Sequence, residues 1–310
     1  MPTVPRRRPH RRPRRAALLA VAAATVLTGA GCTSDGGSSA SSSTASATDS
    51  ATDSATTGAA GRGTYLALGD SVPFGYRGGE PASEYRDAGN FTGYPELVGH
   101  SLGLDVVNAA CPGETTASFL DTTAQSNGCE NSPSSPTGFR DAYPLHVKYG
   151  SADESQLDFA VRTLEKTRDV RLVTLQIGAN DGFICQATTA DKCASEVTTV
   201  AQTVSQNVAK ALYALRREAG YQGRIVVVSY YSFDYDDATT TLGIQALDNA
   251  LAQAAQTADA TVASGFDAFR SAAEQAGGNS TTAGLVRPGD VHPTDQGQQL
   301  LAQAVESVVR

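Results

Sequence analysis

The sequence predicts an α/β domain with a mainly parallel sheet, and three patterns support this fold class. Short apolar runs recur along the chain and end at small or polar residues, as buried strands do. Segments with apolar residues one helical turn apart lie between these runs. Strands and helices alternate throughout, which favours parallel strands joined by helical crossovers. The five predicted strands are residues 65–68, 104–108, 170–177, 224–229 and 260–263.

Helical spacing places the predicted helices between those strands. The longest covers residues 196–219, where Val200, Val204 and Val208 share one face and Gly220 ends the helix. In such a sheet, functional residues belong in loops at the carboxyl ends of the strands. The other predicted helices are residues 93–102, 114–120, 157–164, 241–258 and 294–308.

The first 62 residues are predicted to lie outside this domain, which we assign to residues 63–310. Residues 1–31 have the pattern of an export signal, because seven Arg near the start precede an apolar run too short to span a bilayer. Cys32 follows small residues and resembles the lipidated cysteine of a bacterial lipoprotein; the alternative is an ordinary cleaved signal with an incidental Cys. Residues 32–62 are rich in Ser, Thr and Ala and indicate a flexible tether. We therefore expect an exported protein of the cell envelope, lipid-anchored to the outer face of a membrane or otherwise secreted.

Composition and motifs exclude several partners and cofactors. Without its seven N-terminal Arg the chain carries 17 Lys+Arg against 32 Asp+Glu, a net of −15, which repels nucleic-acid phosphates. The sequence has no metalloprotease, P-loop or dinucleotide-binding motif, and no Cys or His spacing that indicates zinc. Asp234, Asp236 and Asp237 could bind a cation, although such a cluster is more often a solvated loop. We expect a monomer that needs neither metal nor cofactor.

Two serines are candidate nucleophiles. Ser101 lies in Gly99-His100-Ser101-Leu102-Gly103, which fits the G-x-S-x-G motif, but that motif needs a strand before its Ser and a helix after it. Here a helix precedes and a strand follows, so a helix that ends at a Gly cap explains these residues. Ser71 follows the first predicted strand directly, in Leu68-Gly69-Asp70-Ser71, and therefore has the required context.

Three further blocks accompany Ser71 in order along the chain: Asn-Ala-Ala-Cys-Pro-Gly-Glu-Thr at 108–115, Gly-Ala-Asn-Asp at 178–181 and Asp-Val-His-Pro-Thr at 290–294. Together the four blocks resemble those of the SGNH hydrolases, also called the GDSL esterase/lipase family, over about residues 64–309. The resemblance implies a flavodoxin-like three-layer α/β/α sandwich without a cofactor. It also implies Ser71 as nucleophile, His292 as base, and Gly113 and Asn180 as oxyanion donors beside the N–H of Ser71.

The residue types also suit ester hydrolysis on chemical grounds. That reaction needs an activated hydroxyl, a base and donors aimed at the developing oxyanion. Of the four His, His10 falls in the export signal, His100 on a predicted helix and His146 in a loop, which leaves His292 as the base. Asn180 offers a carboxamide donor and Gly113 an unobstructed backbone N–H, although an Asx turn and a Pro-Gly turn would explain the same residues.

The group that orients His292 is open at this stage. The family usually has Asp three residues before the His, where this chain has Gly289, whereas Asp290 lies two before. Side chains two apart in an extended segment point the same way, so Asp290 could still reach the imidazole. A backbone carbonyl is the alternative, and the shifted spacing favours it.

Four Cys remain once Cys32 is set apart, and export permits them to form disulfides. The pairs Cys111–Cys129 and Cys185–Cys193 would close short local loops beside the predicted oxyanion donors. This pairing is one of three possible connectivities.

These observations predict a serine esterase or lipase that forms an acyl-enzyme on Ser71. The alternatives are a glycan O-deacetylase and a surface glycan-binding protein on an inert scaffold of the same fold. We expect the loops at 72–92, 121–152 and 230–241 to shape the pocket. The aromatic residues expected to line it are Phe74, Tyr76, Phe119 and Phe183.

Overall fold

A five-stranded parallel sheet organises the part of the chain that the computed structural model describes, residues 63–310. The predicted export signal, the tether and Cys32 lie outside these described residues. The strands are β1 (Thr64–Gly69), β2 (Asp105–Asn108), β3 (Val170–Gln176), β4 (Arg224–Val228) and β5 (Thr261–Ala263). Their order is β2-β1-β3-β4-β5, and every neighbouring pair is parallel. The predicted fold class is confirmed.

Helices cover the sheet, which explains why β1, β3 and β4 are buried along almost their whole length rather than on alternate residues. The helices are α1 (Ser71–Phe74), α2 (Tyr94–Leu102), α3 (Thr116–Leu120), α4 (Phe139–Ala142), α5 (Gln156–Lys166), α6 (Ala179–Thr188), α7 (Val197–Tyr213), α8 (Ala238–Gln256), α9 (Gly265–Gln275) and α10 (Asp295–Val309). They pack in two groups: α10 contacts α2 and α9, whereas α7 contacts α3, α6 and α8, and α3 also contacts α5. None of the helices within residues 63–310 is long and apolar enough to cross a bilayer.

Four helices of the structure were not expected from the sequence: α1 and α4, of four residues each, and the longer α6 and α9. Helix α9 carries its own signal, since Ser264 accepts the N–H of Asp267 at its N-terminus and Phe266, Phe269 and Ala273 are buried on one face. Helix α6 lacks such a pattern, with only Asn180 and Cys185 buried.

The strand order reverses between β2 and β3, with β1 in the middle. Loops that leave adjacent strands in opposite directions open a crevice at such a switch point. The three blocks that follow β1, β2 and β3 in sequence therefore meet at one edge of the sheet.

Candidate active site

Ser71 is the first residue of α1, directly after the sharp turn that ends β1. Asp70 caps the helix, because its Oδ1 accepts the N–H of Val72 at 3.0 Å. Gly69 has φ +138°, and a Cβ there would lie 1.9 Å from the carbonyl oxygen of Gln176, so only glycine fits this strand end. The turn presents the Ser71 hydroxyl at the carboxyl edge of the sheet.

Ser101 has no such context. It lies near the end of α2, is exposed, and its hydroxyl accepts a hydrogen bond from Nη2 of Arg310 at 3.0 Å. Gly103 caps this helix in the left-handed conformation, as the sequence predicts.

Ser71, His292 and Asp290 form one continuous chain of hydrogen bonds. His292 Nε2 lies 2.9 Å from Ser71 Oγ, and His292 Nδ1 lies 2.6 Å from Asp290 Oδ1. An ionised Asp290 can only accept, so Nδ1 donates and Nε2 is left free to accept the Ser71 proton.

In the structure Nδ1 thus bonds to the carboxylate of Asp290 and not to a backbone carbonyl, contrary to the expectation from the shifted spacing. Gly289, where the family has Asp, adopts φ +72° in the turn that precedes Asp290. This turn brings a carboxylate two residues before the His to the ring edge. Spacing along the chain was a poor guide here because the segment is a turn rather than an extended strand.

Asp290 is held in place by two further donors. Its Oδ2 accepts the N–H of Gly78 at 2.8 Å and its Oδ1 accepts the N–H of Val291 at 2.7 Å, while Arg287 Nε lies 3.9 Å away. Partial burial works to raise the pKa of Asp290, but the hydrogen bond and charge of His292 and the two backbone donors hold it well below its usual value. These contacts therefore favour the ionised form of Asp290.

Aromatic residues fix the other side of His292. The ring of Tyr76 stands edge-on to the imidazole with centroids 4.9 Å apart, and Tyr231 donates from its hydroxyl to the carbonyl of Val291 at 2.7 Å. His292 itself is only 9 % exposed. Ring position is thus set by packing as well as by Asp290.

Asn180 is positioned as a donor at the start of α6. Its Nδ2 donates one hydrogen to the carbonyl of Glu114 at 3.0 Å, and its Oδ1 accepts from Asn127 Nδ2 at 2.9 Å. The amide orientation is fixed at both ends, and the second N–H of Nδ2 remains for another acceptor. Asn180 and Ser71 both line the same cavity.

Gly113 lies in the loop that follows β2, one residue before Glu114. Its φ is +85°, and a Cβ there would lie 2.6 Å from the Cα of Gly128, so glycine is required. Within residues 63–310, neither the N–H of Gly113 nor that of Ser71 donates to another group of the chain. Two free backbone donors and the Asn180 amide are thus available to an anionic oxygen.

A buried polar contact joins the nucleophile turn to this loop. Gln156, fully buried at the start of α5, accepts the N–H of Gly69 at 2.5 Å and donates to its carbonyl at 3.0 Å. The same Nε2 donates to Glu114 Oε2 at 3.1 Å, while Ser118 donates to Glu114 Oε1. Burial raises the pKa of Glu114 well above its usual value. Sequence reasoning missed both residues because Gln156 is 87 positions from Gly69.

Gln298 of α10 holds the nucleophile turn from the opposite side. It donates from Nε2 to the carbonyl of Val72 at 3.0 Å and accepts the N–H of Tyr94 at 2.8 Å. The last helix is therefore hydrogen-bonded to the residue next to Ser71.

Two further carboxyl groups near the site, Asp70 and Asp248, are largely buried. Tyr230 donates from its hydroxyl to Asp70 Oδ2, and burial raises the pKa of Asp70 to about 6. Asp248 accepts the N–H of Tyr230 and the hydroxyl of Ser229, both at 3.1 Å, and burial raises the pKa of Asp248 to about 7. These groups support the wall of the cavity rather than reach Ser71.

Both disulfides considered from the sequence are present, Cys111–Cys129 and Cys185–Cys193. The first ties the loop after β2 to the segment that carries Asn127. The second closes the end of α6 onto the turn before α7.

The acidic cluster at 234–237 is engaged in turns. Asp234 Oδ1 accepts the N–H groups of Asp236 and Asp237, and Asp237 caps α8 by accepting the N–H of Thr239. The acidic cluster therefore has the structural role of a solvated loop: its carboxylates accept backbone N–H groups of the turn and of the α8 cap.

A cavity of about 550 Å³ opens beside Ser71 and His292. It is bounded by the segments that follow β3 and β4 and by helices α6, α7 and α8. Of the three loops expected to shape it, 230–241 contributes strongly, 72–92 contributes only Val72, and 121–152 contributes no lining residue.

Phe183 lines this cavity as predicted, but three other aromatic residues do not. Phe74 and Phe119 are at most 1 % exposed and belong to the core. Tyr76 packs against His292 and stacks with Tyr85 outside the cavity. Sequence cannot separate a buried aromatic residue from a pocket-lining one when both follow a strand end.

A parallel α/β fold that carries Ser, His and Asp in hydrogen-bonded order beside a cavity is typical of a hydrolase with a serine nucleophile. The chain belongs to the GDSL-like Lipase/Acylhydrolase family, which matches residues 67–300. This confirms the predicted family and the predicted enzyme class. No curated protein matches the chain at a significant level.

Several solved structures are similar to this chain at low sequence identity. A member of the lipolytic G-D-S-L family from Veillonella parvula is 16 % identical, covers 79 % of this chain and 97 % of its own, and has a TM-score of 0.45. An acetylxylan esterase from Geobacillus stearothermophilus is 16 % identical over 80 % of this chain and 94 % of its own, with a TM-score of 0.47. An alpha/beta hydrolase from the metagenome of Lake Arreo, Spain, is 13 % identical over the same shares, also with a TM-score of 0.47. Similarity at this level says nothing about the substrate of this chain.

Proposed function

We propose that this enzyme hydrolyses carboxylic esters through an acyl-enzyme on Ser71. The observation that supports this mechanism is the hydrogen-bonded order Ser71–His292–Asp290, with distances of 2.9 and 2.6 Å, at the edge of the cavity. A hydroxyl is a weak nucleophile unless a base removes its proton, and this arrangement supplies that base.

In the first half of the reaction, Ser71 Oγ attacks the ester carbonyl carbon while His292 Nε2 takes its proton. Asp290 stabilises the imidazolium that forms. When the tetrahedral intermediate collapses, the carbonyl reforms, the C–O bond to the alcohol breaks, and His292 protonates the leaving alkoxide. In the second half, His292 takes a proton from water, which attacks the acyl-enzyme carbonyl carbon. The tetrahedral intermediate then collapses, the bond to Ser71 Oγ breaks as His292 returns the proton to it, and the carboxylic acid leaves.

The negative oxygen of each tetrahedral intermediate would be held by the N–H groups of Ser71 and Gly113 and by Asn180 Nδ2. Each such donor typically contributes about 10²–10³-fold to kcat. Support for this assignment comes from the fixed amide of Asn180 and from the two backbone N–H groups that donate to nothing else within residues 63–310.

The glycan-binding alternative has less support. Its inert scaffold would need no ordered Ser–His–Asp chain, and this chain has one. The cavity wall beside Ser71 is also largely apolar, whereas a glycan presents hydroxyl groups that need polar partners.

We further propose that the enzyme acts outside the cell on a lipid tether at Cys32. Support comes only from the Arg-rich and apolar residues 1–31 and the Ser/Thr-rich residues 32–62. Metabolic labelling with palmitate should tag the wild type and not Cys32→Ala; wild-type protein that is unlabelled and free in the medium would contradict the anchor.

Two matched serine variants test the mechanism. Ser71→Ala should lower kcat for p-nitrophenyl butyrate by several orders of magnitude, by analogy with other serine triads, with little change in Tm. Ser101→Ala is the matched control, because it removes a serine hydroxyl from the exposed end of α2; it should change kcat by less than about twofold. Activity that survives in folded Ser71→Ala would overturn the mechanism.

A further inference from the structure

The cavity beside Ser71 has an apolar end that the mechanism does not use. Three helices enclose this end, and their side chains there carry no charge. The residues that form it are Phe183 of α6, Val197, Val200 and Ala201 of α7, and Ile244 and Leu247 of α8. A volume of about 550 Å³ is far more than an acetyl group requires.

We infer that this apolar end binds the acyl chain of a medium-chain ester, and that Gly182 and Gly243 set the chain length that fits. The inference rests on the proposed acyl-enzyme at Ser71. It adds the substrate class and the residues that select it.

The roles of Asn180 and His292 separate the two halves of the ester. Asn180 would hold the carbonyl oxygen, and Asn180, Gly182 and Phe183 are neighbours on α6 that all line the cavity. His292 must protonate the leaving alcohol and then activate water, so the alcohol belongs on the side of His292 and Val291. The part of the cavity that continues along α6 is then left for the acyl chain.

Two glycines keep the apolar end open. Gly182 of α6 and Gly243 of α8 both line the cavity, and a Cβ built at either position would meet no atom within 4 Å. Neither has a positive φ, so the backbone itself would accept a larger residue. Glycine in a helix interior costs stability relative to other residues, and here the missing side chain leaves space beside the scissile ester.

The outer wall is fixed by a disulfide. The bond Cys185–Cys193 joins α6 to the turn before α7, and Lys192 and Cys193 there adopt φ of +55° and +72°. Both residues line the cavity. The disulfide therefore restricts the motion of this part of the cavity wall.

The cavity volume predicts the preferred chain. Because the volume of about 550 Å³ must also admit the reacting ester group, we expect a preferred acyl chain of medium length, such as octanoate or laurate. Each buried methylene contributes up to about 0.8 kcal/mol, which corresponds to about two- to fourfold in kcat/KM. We expect kcat/KM to rise with the length of the acyl chain and to fall once the chain is too long for the cavity.

The test measures kcat/KM for p-nitrophenyl acetate, butyrate, octanoate, laurate and palmitate with the wild type, Gly243→Leu and Gln245→Leu. In the wild type, octanoate or laurate should be the best substrate. Gly243→Leu places a side chain in the cavity and should lower the octanoate-to-acetate ratio of kcat/KM about tenfold or more. Gln245→Leu adds the same side chain on the exposed face of α8 and should leave the ratio unchanged.

A second series keeps the acetyl group and lengthens the alcohol from ethyl to octyl. A rise of kcat/KM with alcohol length, reduced by Gly243→Leu, would overturn the acyl assignment. A wild type that prefers acetate, or a Gly243→Leu variant with an unchanged octanoate-to-acetate ratio, would overturn this inference. The proposed acyl-enzyme mechanism would still hold in that case if Ser71→Ala abolishes turnover. If Gly243→Leu fails to fold, Gly182→Leu places the same side chain in the cavity from α6, and the same fall in the octanoate-to-acetate ratio is expected of it.

Discussion

Replacing Asp290 with Asn tests the most specific feature of the site, the carboxylate that orients His292. Asp290 accepts three N–H groups, from His292 Nδ1 at 2.6 Å, Val291 at 2.7 Å and Gly78 at 2.8 Å. An asparagine has one acceptor oxygen and one donor NH₂. If its oxygen faces His292, its NH₂ meets the N–H of Gly78; if the amide turns over, its NH₂ meets Nδ1 and forces the ring proton onto Nε2.

Either orientation impairs catalysis. The first loses the negative charge that stabilises the imidazolium, and the second removes the acceptor that Ser71 needs. The corresponding Asp→Asn change in a serine protease triad lowers kcat about 10⁴-fold. We expect a loss of about 10³–10⁴-fold here, which corresponds to about 4–5.5 kcal/mol of transition-state stabilisation. KM should change little, because Asp290 does not line the cavity.

The assay is initial-rate hydrolysis of p-nitrophenyl butyrate, with Tm measured on the same samples. Arg287→Gln is the control, because Arg287 lies 3.9 Å from the carboxylate without donating a hydrogen bond to it. This control should lose less than about tenfold in kcat. A loss of tenfold or less in Asp290→Asn, with unchanged Tm, would show that packing by Tyr76 and not the carboxylate orients His292.

Two further predictions concern stability. Because the pKa of Asp248 is raised to about 7 in the folded state, the folded protein holds this proton more tightly than the unfolded chain does, and stability is lost as the pH rises from about 4 to about 7. Asp248→Asn has no such titrating proton, so its unfolding free energy should not fall in this way. In urea unfolding, the unfolding free energy of the variant minus that of the wild type should rise by about 2–3 kcal/mol between pH 5 and pH 8.5. A difference that stays constant with pH would contradict the raised pKa. Replacing Cys111 and Cys129 together by Ala should cost roughly 3 kcal/mol of unfolding free energy in the chain-entropy treatment of an 18-residue separation, and a cost below about 1 kcal/mol would contradict it.

Local patterns in the sequence predicted the sheet well. The predicted strands at 65–68, 170–177 and 224–229 differ from β1, β3 and β4 by at most one residue at either end. Buried strands are continuous apolar runs, and alternation with helices determines that they are parallel, so little else was needed. The blocks after the strands then located Ser71 and Asn180 at the same sheet edge.

Long-range contacts could not be predicted in the same way. The Gln156 side chain bonds to a strand end 87 residues earlier, and nothing in its own neighbourhood signals this. The role of Asp290 depends on a turn whose shape the spacing does not encode. The positions of Phe74 and Phe119 in the core likewise depend on which helices cover them.

The contacts of α10 determine when activity can arise as the protein folds. Ser71 and His292 are 221 residues apart, and Gln298 of α10 bonds to the carbonyl of Val72 beside the nucleophile. During synthesis Ser71, the nucleophile, is made early, whereas His292, the base, is made near the end of the chain. Ester hydrolysis should therefore appear only when the C-terminal helix docks, so that recovery of activity during refolding reports the final docking step rather than formation of the sheet.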